Sequence, residues 1–239
     1  MTGTAVEGEE GADAGNALPK GLVARLKSDP ARAPQHLSLA AVERMGEPAM
    51  DYAAKVRAEH PSATPRQLAE VVKKRHALLA RMEGATAGVP IAFAPVAGPG
   101  AIAAAAVTII PDIATLAWIQ SRMVIHIAAV YGHDTTDRDT AAELLVLQGF
   151  YNSTEAARVA VSEAAKRVSK RLINQYVKGA SLQLLKQLFR VVGIKFTRAG
   201  LLRAVPLVSI PASAAVNEAA TRSLANRALE FYDLEPRKV

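Results

Sequence analysis

Residues 84–111 read GATAGVPIAFAPVAGPGAIAAAAVTIIP, a stretch of 28 positions without one charged side chain. As a single helix they would span roughly 42 Å, and a bilayer core needs only about 20 apolar residues. Pro90, Pro95, Pro99 and Pro111, together with Gly88, Gly98 and Gly100, interrupt the run, and proline breaks the helical hydrogen-bond ladder. A straight membrane-spanning helix is therefore not expected. The pattern predicts an apolar helical hairpin, buried or re-entrant, that reverses near Gly98-Pro99-Gly100.

The flanks place that hairpin in an all-α chain. Upstream, Thr64 caps a helix, Pro65 suits its first position and Gln67 closes a capping box. The helix is predicted over 65–83, with Leu68, Val71, Val72, Leu78, Leu79 and Met82 on its apolar side. Lys73, Lys74, Arg75 and Arg81 fall mostly on its solvated side. Downstream, a helix over 112–131 is apolar nearly all round and ends at Gly132, which takes a left-handed exit turn. His133-Asp134 belong to that exit, or Asp134 begins the next cap. Asp112, Thr115, Arg122 and His126 follow at spacings of 3, 7 and 4, which puts a polar seam on one stripe of the apolar helix.

Further helices are expected over 37–59, 137–150, 154–178, 181–193, 196–204 and 211–232. The last is full of small residues, from Ala212 to Ala220, that let helix backbones approach closely. Ile210-Pro211 and Tyr232 echo Ile110-Pro111 and Tyr131, a hint of an internal repeat. No run of alternating β-branched residues argues for a sheet. Residues 1–17 carry Glu7, Glu9, Glu10 and Asp13 with no Lys or Arg, and are expected to be a disordered acidic tail. Residues 18–35, with Pro19, Pro30 and Pro34, form a broken lead-in with at most a short helix. One helical domain is expected over 36–233.

Composition excludes several classes. With no cysteine, disulfides, thiolate catalysis and Cys-based zinc sites are ruled out, and a reducing compartment fits. The amino terminus lacks the pattern of a secretory signal, so a cytoplasmic chain is expected. The net charge is +7, and setting aside the −4 of residues 1–17 leaves +11 on the rest. That balance favours anionic partners.

Several pieces in order resemble the bacterial EcsC family in its actinobacterial form. They are His60-Pro61-Ser62-Ala63-Thr64-Pro65 opening a basic amphipathic helix, the small-residue stretch to Pro111-Asp112, and a helix ending Ile127-Ala128-Ala129-Val130-Tyr131-Gly132-His133-Asp134. The last is Ile210-Pro211-Ala212-Ser213-Ala214-Ala215-Val216-Asn217-Glu218-Ala219-Ala220-Thr221. The resemblance covers about 60–233. It implies an all-helical, membrane-associated protein, some of whose relatives are encoded beside an ABC transporter, and it carries over no catalytic residue.

The main chemical signal is charge beside apolarity. Between Arg158 and Arg203 lie eleven basic residues and one acid, Glu163. Lys166, Arg167, Lys170, Arg171, Lys178, Lys186, Arg190, Lys195 and Arg198 are the candidate lipid-contacting residues, because each Lys or Arg near an anionic leaflet contributes about 1 kcal/mol. Interleaved Leu184, Leu185, Leu188 and Phe189 would add interfacial burial. The competing reading is an ordinary solvated helix face. Nucleic acid is disfavoured because exposed aromatics for base stacking are scarce.

The remaining polar positions read first as structure. Asp112 would cap or charge the first turn of its helix, or act as a buried acid paired with Arg122 or Arg222. Asn217 and Thr221 would hydrogen-bond to a neighbouring helix, and Trp118 would sit in the core. His126 and His133 lie seven apart without the spacing of a metal site, so no metal and no cofactor is expected. No P-loop, nucleophile elbow or His-Glu-x-x-His motif occurs.

The sequence thus favours a non-enzymatic peripheral membrane protein that binds anionic phospholipid or an acyl chain at the inner face of the cell membrane. A membrane transporter is a second candidate partner. The alternatives are a pore-forming or integral membrane protein, and a lipid-modifying enzyme that would need Asp112, His126 or His133 to converge in one open pocket.

Overall fold

A computed structural model of the chain describes residues 18–93, 99–165 and 206–234; of residues 30, 85–93, 99–113, 165 and 206–213 it describes the backbone alone. These residues form seven α-helices and, among the described residues, no strand. They are α1 (Leu22–Ser28), α2 (Ala33–Glu59), α3 (Pro65–Phe93), α4 (Pro99–Tyr131), α5 (Arg138–Leu147), α6 (Thr154–Ala165) and α7 (Pro206–Leu234), with a 3₁₀ turn over Pro30–Arg32. The acidic tail of 1–17 and the helices expected over 181–193 and 196–204 lie outside the described residues.

Helix α4 is the centre. From Ala114 to Tyr131 only Thr115 and Arg122 escape full burial, and Trp118, Met123, Ile125 and Ile127 are wholly enclosed. Helix α3 packs along α4, α7 lies on both, and α2 crosses the carboxyl-terminal part of α4 and meets α5 and α6. The corner between α2 and α3 is fixed as expected: the Thr64 amide donates to Gln67 Oε1 at 2.8 Å, and the Gln67 amide donates to Thr64 Oγ1 at 3.3 Å. The exit from α4 is a Schellman turn. Gly132 has φ 86°, its amide donates to the Ala129 carbonyl, and the His133 amide donates to the Ala128 carbonyl.

Polar pairs set the register of the three long helices. Arg66 pairs with Asp233, Lys73 donates to Asn226 Oδ1 at 3.0 Å, and Arg81 pairs with Glu218 at 3.6 Å. Each forward step of seven or eight along α3 is matched by an equal step backward along α7, so the two run strictly antiparallel. Helices α4 and α7 run parallel: Gln120 Nε2 donates to Thr221 Oγ1 at 3.2 Å, and the Tyr131 and Tyr232 rings stack at 6.2 Å. That is the offset at which the sequence echoes itself, so the two Ile-Pro…Tyr segments lie side by side.

Three expectations need correction. Helix α3 continues through Gly84 and Gly88 to Phe93, and α4 begins at Pro99 and runs through Pro111. Residues 94–98 between them lie outside the described residues, and Pro99 opens a helix in the position that suits proline. Asp112 consequently lies inside α4 and cannot cap its first turn. Leu78 and Met82, assigned to the apolar side of α3, are 58% and 59% exposed. Helix α3 instead turns Ala69, Ala77 and Ala80 inward with Leu68 and Val72, because two flanking helices pack closest on the smallest side chains.

Two other local readings are met: Thr221 takes its hydrogen bond from α4, and Trp118 is core. Asn217 is buried. Asp134 organises a turn, accepting from the Thr136 amide and hydroxyl, while Asp137 caps α5.

Candidate functional site

The seam helix brings part of its polar stripe to a junction of three helices. His126 on α4 is 3% exposed, and Tyr52 from α2 stacks flat on it with ring centres 4.0 Å apart and planes 19° apart. His76 from α3, also 3% exposed, meets His126 edge-on at 5.1 Å and Tyr52 at 6.4 Å. The sequence supports each placement: His76 stands one turn after Val72 on the inward face of α3, and Tyr52 one residue before buried Ala53 on α2.

The tautomer of His76 follows from geometry. Its Nδ1 lies 3.0 Å from the Val72 carbonyl, a carbonyl only accepts, and so Nδ1 carries the proton. Nε2 is then a bare lone pair, and it has no hydrogen-bond partner in the protein. His126 Nδ1 and the Tyr52 hydroxyl are likewise buried without a partner. Desolvation dominates both rings. Burial pushes His76 down to about 4 against its Val72 bond, and the Arg122 and Arg75 cations push the same way. Burial, then His76 and Arg122, hold His126 well below the usual histidine range. Arg122 is itself lowered by burial. Arg75 lies toward the Tyr52 hydroxyl but beyond hydrogen-bond reach, and its firm partner is Glu59 of α2 at 2.7 Å.

The other seam residues divide. Thr115 and Arg122 are half-buried on α4, and the Asp112 side chain lies outside the described residues. His133 does not join His126: its ring packs edge-on against Tyr232 at 4.9 Å, in a second cluster where Tyr232 donates to Glu143 Oε2 at 3.0 Å. Among the described residues no group of three His, Asp or Glu could hold a metal ion. The convergence an enzyme would need from His126 and His133 is thus not present. Of the eleven basic residues from Arg158 onward, only Arg158 is described, and it forms a two-pronged bridge to Asp139 at 2.7 and 2.8 Å. Lys166, Arg167, Lys170, Arg171, Lys178, Lys186, Arg190, Lys195 and Arg198 lie outside the described residues.

Sequence reasoning missed Tyr52, His76 and a second polar belt on α4. In that belt Ser121 accepts from Gln148 Nε2 at 3.3 Å and donates to the Ala117 carbonyl. It also missed Arg57, which caps the carboxyl terminus of α4 by donating to the Ala129 and Val130 carbonyls at 3.2 and 2.7 Å. His76 was detectable, because it interrupts the inward stripe of α3. Arg57 was not, because nothing local marks it. A separate cleft of about 290 Å³ opens between α1 and α2, lined by Lys20, Arg25, Glu43 and Arg44 among others.

Fold and site together define an all-helical bundle with a buried aromatic–imidazole junction and an uncharged α3–α4 stretch. The chain belongs to the EcsC protein family, which matches it over residues 43–234. That match begins inside α2, earlier than the resemblance read from residue 60 onward, so Tyr52 falls within the family region. Neither the curated proteins nor the solved structures give a match to the chain.

Proposed function

We propose that this EcsC-family protein is a non-enzymatic, peripheral lipid-binding protein that docks on anionic phospholipid at the inner face of the cell membrane. The observation that carries the reading is the α3–α4 hairpin. Its 84–111 stretch has no charge, and just below it α3 turns Leu78 and Met82 to solvent with Lys74 and Arg81 beside them. Exposed large apolar side chains rimmed by cations suit a headgroup–acyl boundary, where apolar burial and attraction to anionic lipid add. The basic run beyond Arg158 would extend the attraction. Among the described residues no helix is long and apolar enough to cross a membrane.

Vesicle co-sedimentation tests it. The full chain should pellet with phosphatidylglycerol-containing vesicles at low salt, less at high salt, and little with phosphatidylcholine alone. The Leu78→Glu/Met82→Glu double variant should pellet several-fold less. Equal pelleting with and without vesicles at every salt overturns the reading, and resistance of the native protein to carbonate extraction replaces it with an integral one.

A further inference from the structure

The corner between α2 and α3 is a V whose arms diverge from the Thr64–Gln67 capping box. The arms are joined by the Glu59–Arg75 bridge near the corner, by Arg75 lying toward the Tyr52 hydroxyl, and by the rings of Tyr52 and His76 further out, both set against His126. We propose that Tyr52, His76 and His126 form an acid-released latch, in which protonation of the histidine pair parts α3 from α2 and opens the V. The proposal goes beyond the lipid reading and does not rest on it.

The geometry makes the latch one-way. His76 Nδ1 is committed to the Val72 carbonyl, so an incoming proton must go to Nε2, a buried lone pair with no acceptor opposite it. The result is an imidazolium whose new N–H donates to nothing, in a low-dielectric junction where an unpaired charge is most costly. The neighbours cannot compensate. Helix α2 presents the neutral Tyr52 phenol, and its Glu59 is already held by Arg75. Helix α3 adds the Arg75 cation, and α4 adds Arg122 and the second imidazole. On the far flank α7 turns Thr221 to Gln120 and keeps Glu218 paired with Arg222 and Arg81. Every charge acting on the pair among the described residues is positive.

The rest of the fold decides which seam yields. Helix α2 stays tied to the end of α4 on both sides of Tyr52, by Arg57 on the Ala129 and Val130 carbonyls and by Thr135 Oγ1 donating to the Gly46 carbonyl at 2.6 Å. Helix α3 is bound along its length to α7. Helices α2 and α3 pack on each other far less than either packs on α4, and their seam hinges at a capped corner. Opening uncovers the edge of the His126 ring that His76 now meets, while Tyr52 stays stacked on its face.

Amide exchange on the full chain in lipid-free buffer tests the latch. For His76 alone, titrating near 4 when closed and near 6.5 when open, going from pH 7.5 to pH 5 multiplies the open population roughly thirtyfold. Peptides covering residues 48–56 and 72–80 should therefore lose protection by at least tenfold at pH 5, after correction for intrinsic exchange. Peptides of α5 should not. The His76→Gln/His126→Phe variant should keep its protection at pH 5, whereas His36→Gln, at the buried histidine beside Asp29, should behave as wild type. Unchanged wild-type protection overturns the latch, as does equal loss in the double variant or abolition by His36→Gln. The wild-type comparison needs no variant to fold. Because no lipid is present, failure here is distinct from failure of vesicle binding.

Discussion

The His133–Tyr232 cluster and the Tyr52–His76–His126 cluster use the same residue types but differ in their partners. In the first, Tyr232 donates to Glu143, and Tyr131 donates to Asp233 at 2.6 Å while Arg66 pairs with the same carboxylate. In the second, among the described residues, no carboxylate faces the rings, and three buried polar atoms have no partner in the protein. A buried polar group that is paired rigidifies a core, and one left unpaired costs stability. One end of the bundle is thus fastened by hydrogen bonds and the middle by the packing of neutral rings. The second fastening survives only while the rings stay neutral.

Acid should separate the two most. His76 titrates near 4 in the folded protein, below the 6.5 of an unfolded histidine. Its contribution is therefore fully present above pH 6.5 and is lost as pH falls through 6.5 towards 4, roughly 3 kcal/mol in all. Urea midpoints measured between pH 7.5 and 4 should show that slope, and it should flatten in His76→Gln. At pH 7.5 the order reverses, because the hydrogen-bonded cluster then has more to lose. Tyr232→Phe removes the buried donor to Glu143 and should cost about 2–3 kcal/mol, read from the same midpoints. Gly46→Ala attacks the tie between α2 and the loop after α4. An added Cβ would lie 2.4 Å from the Thr135 carbonyl oxygen, which is backbone, so a loss of about 1–3 kcal/mol is expected in thermal melts. His126→Phe keeps the stack on Tyr52 and removes a buried polar atom, so at pH 7.5 it should change stability by less than about 1 kcal/mol.

Much of the fold was legible in the residues, and the failures have physical causes. Capping chemistry is local, so Thr64-Pro65-Arg66-Gln67 and Gly132 announced their turns correctly. The polar stripe of α4 followed from spacing alone. Proline misled: Pro90 and Pro111 read as interruptions of the uncharged run, yet both sit within helices. Leu78 and Met82 were placed inward because large apolar residues usually are, whereas the closest helix contacts select alanine. The candidate site was half visible. His126 stood out on an apolar helix, but its partners Tyr52 and His76 lie 74 and 50 positions away in the chain, and no local pattern reports such distances.

The helix registers place one more feature. Carried to the far end of the bundle, they bring Pro90 of α3, Pro111 of α4 and Pro211 of α7 to within about one turn of a common level. A proline removes one rung of a helical ladder, and here three neighbouring ladders lose a rung at the same height. Bending stiffness should fall along that line, which makes it the level at which the uncharged end would tilt most easily against the body below.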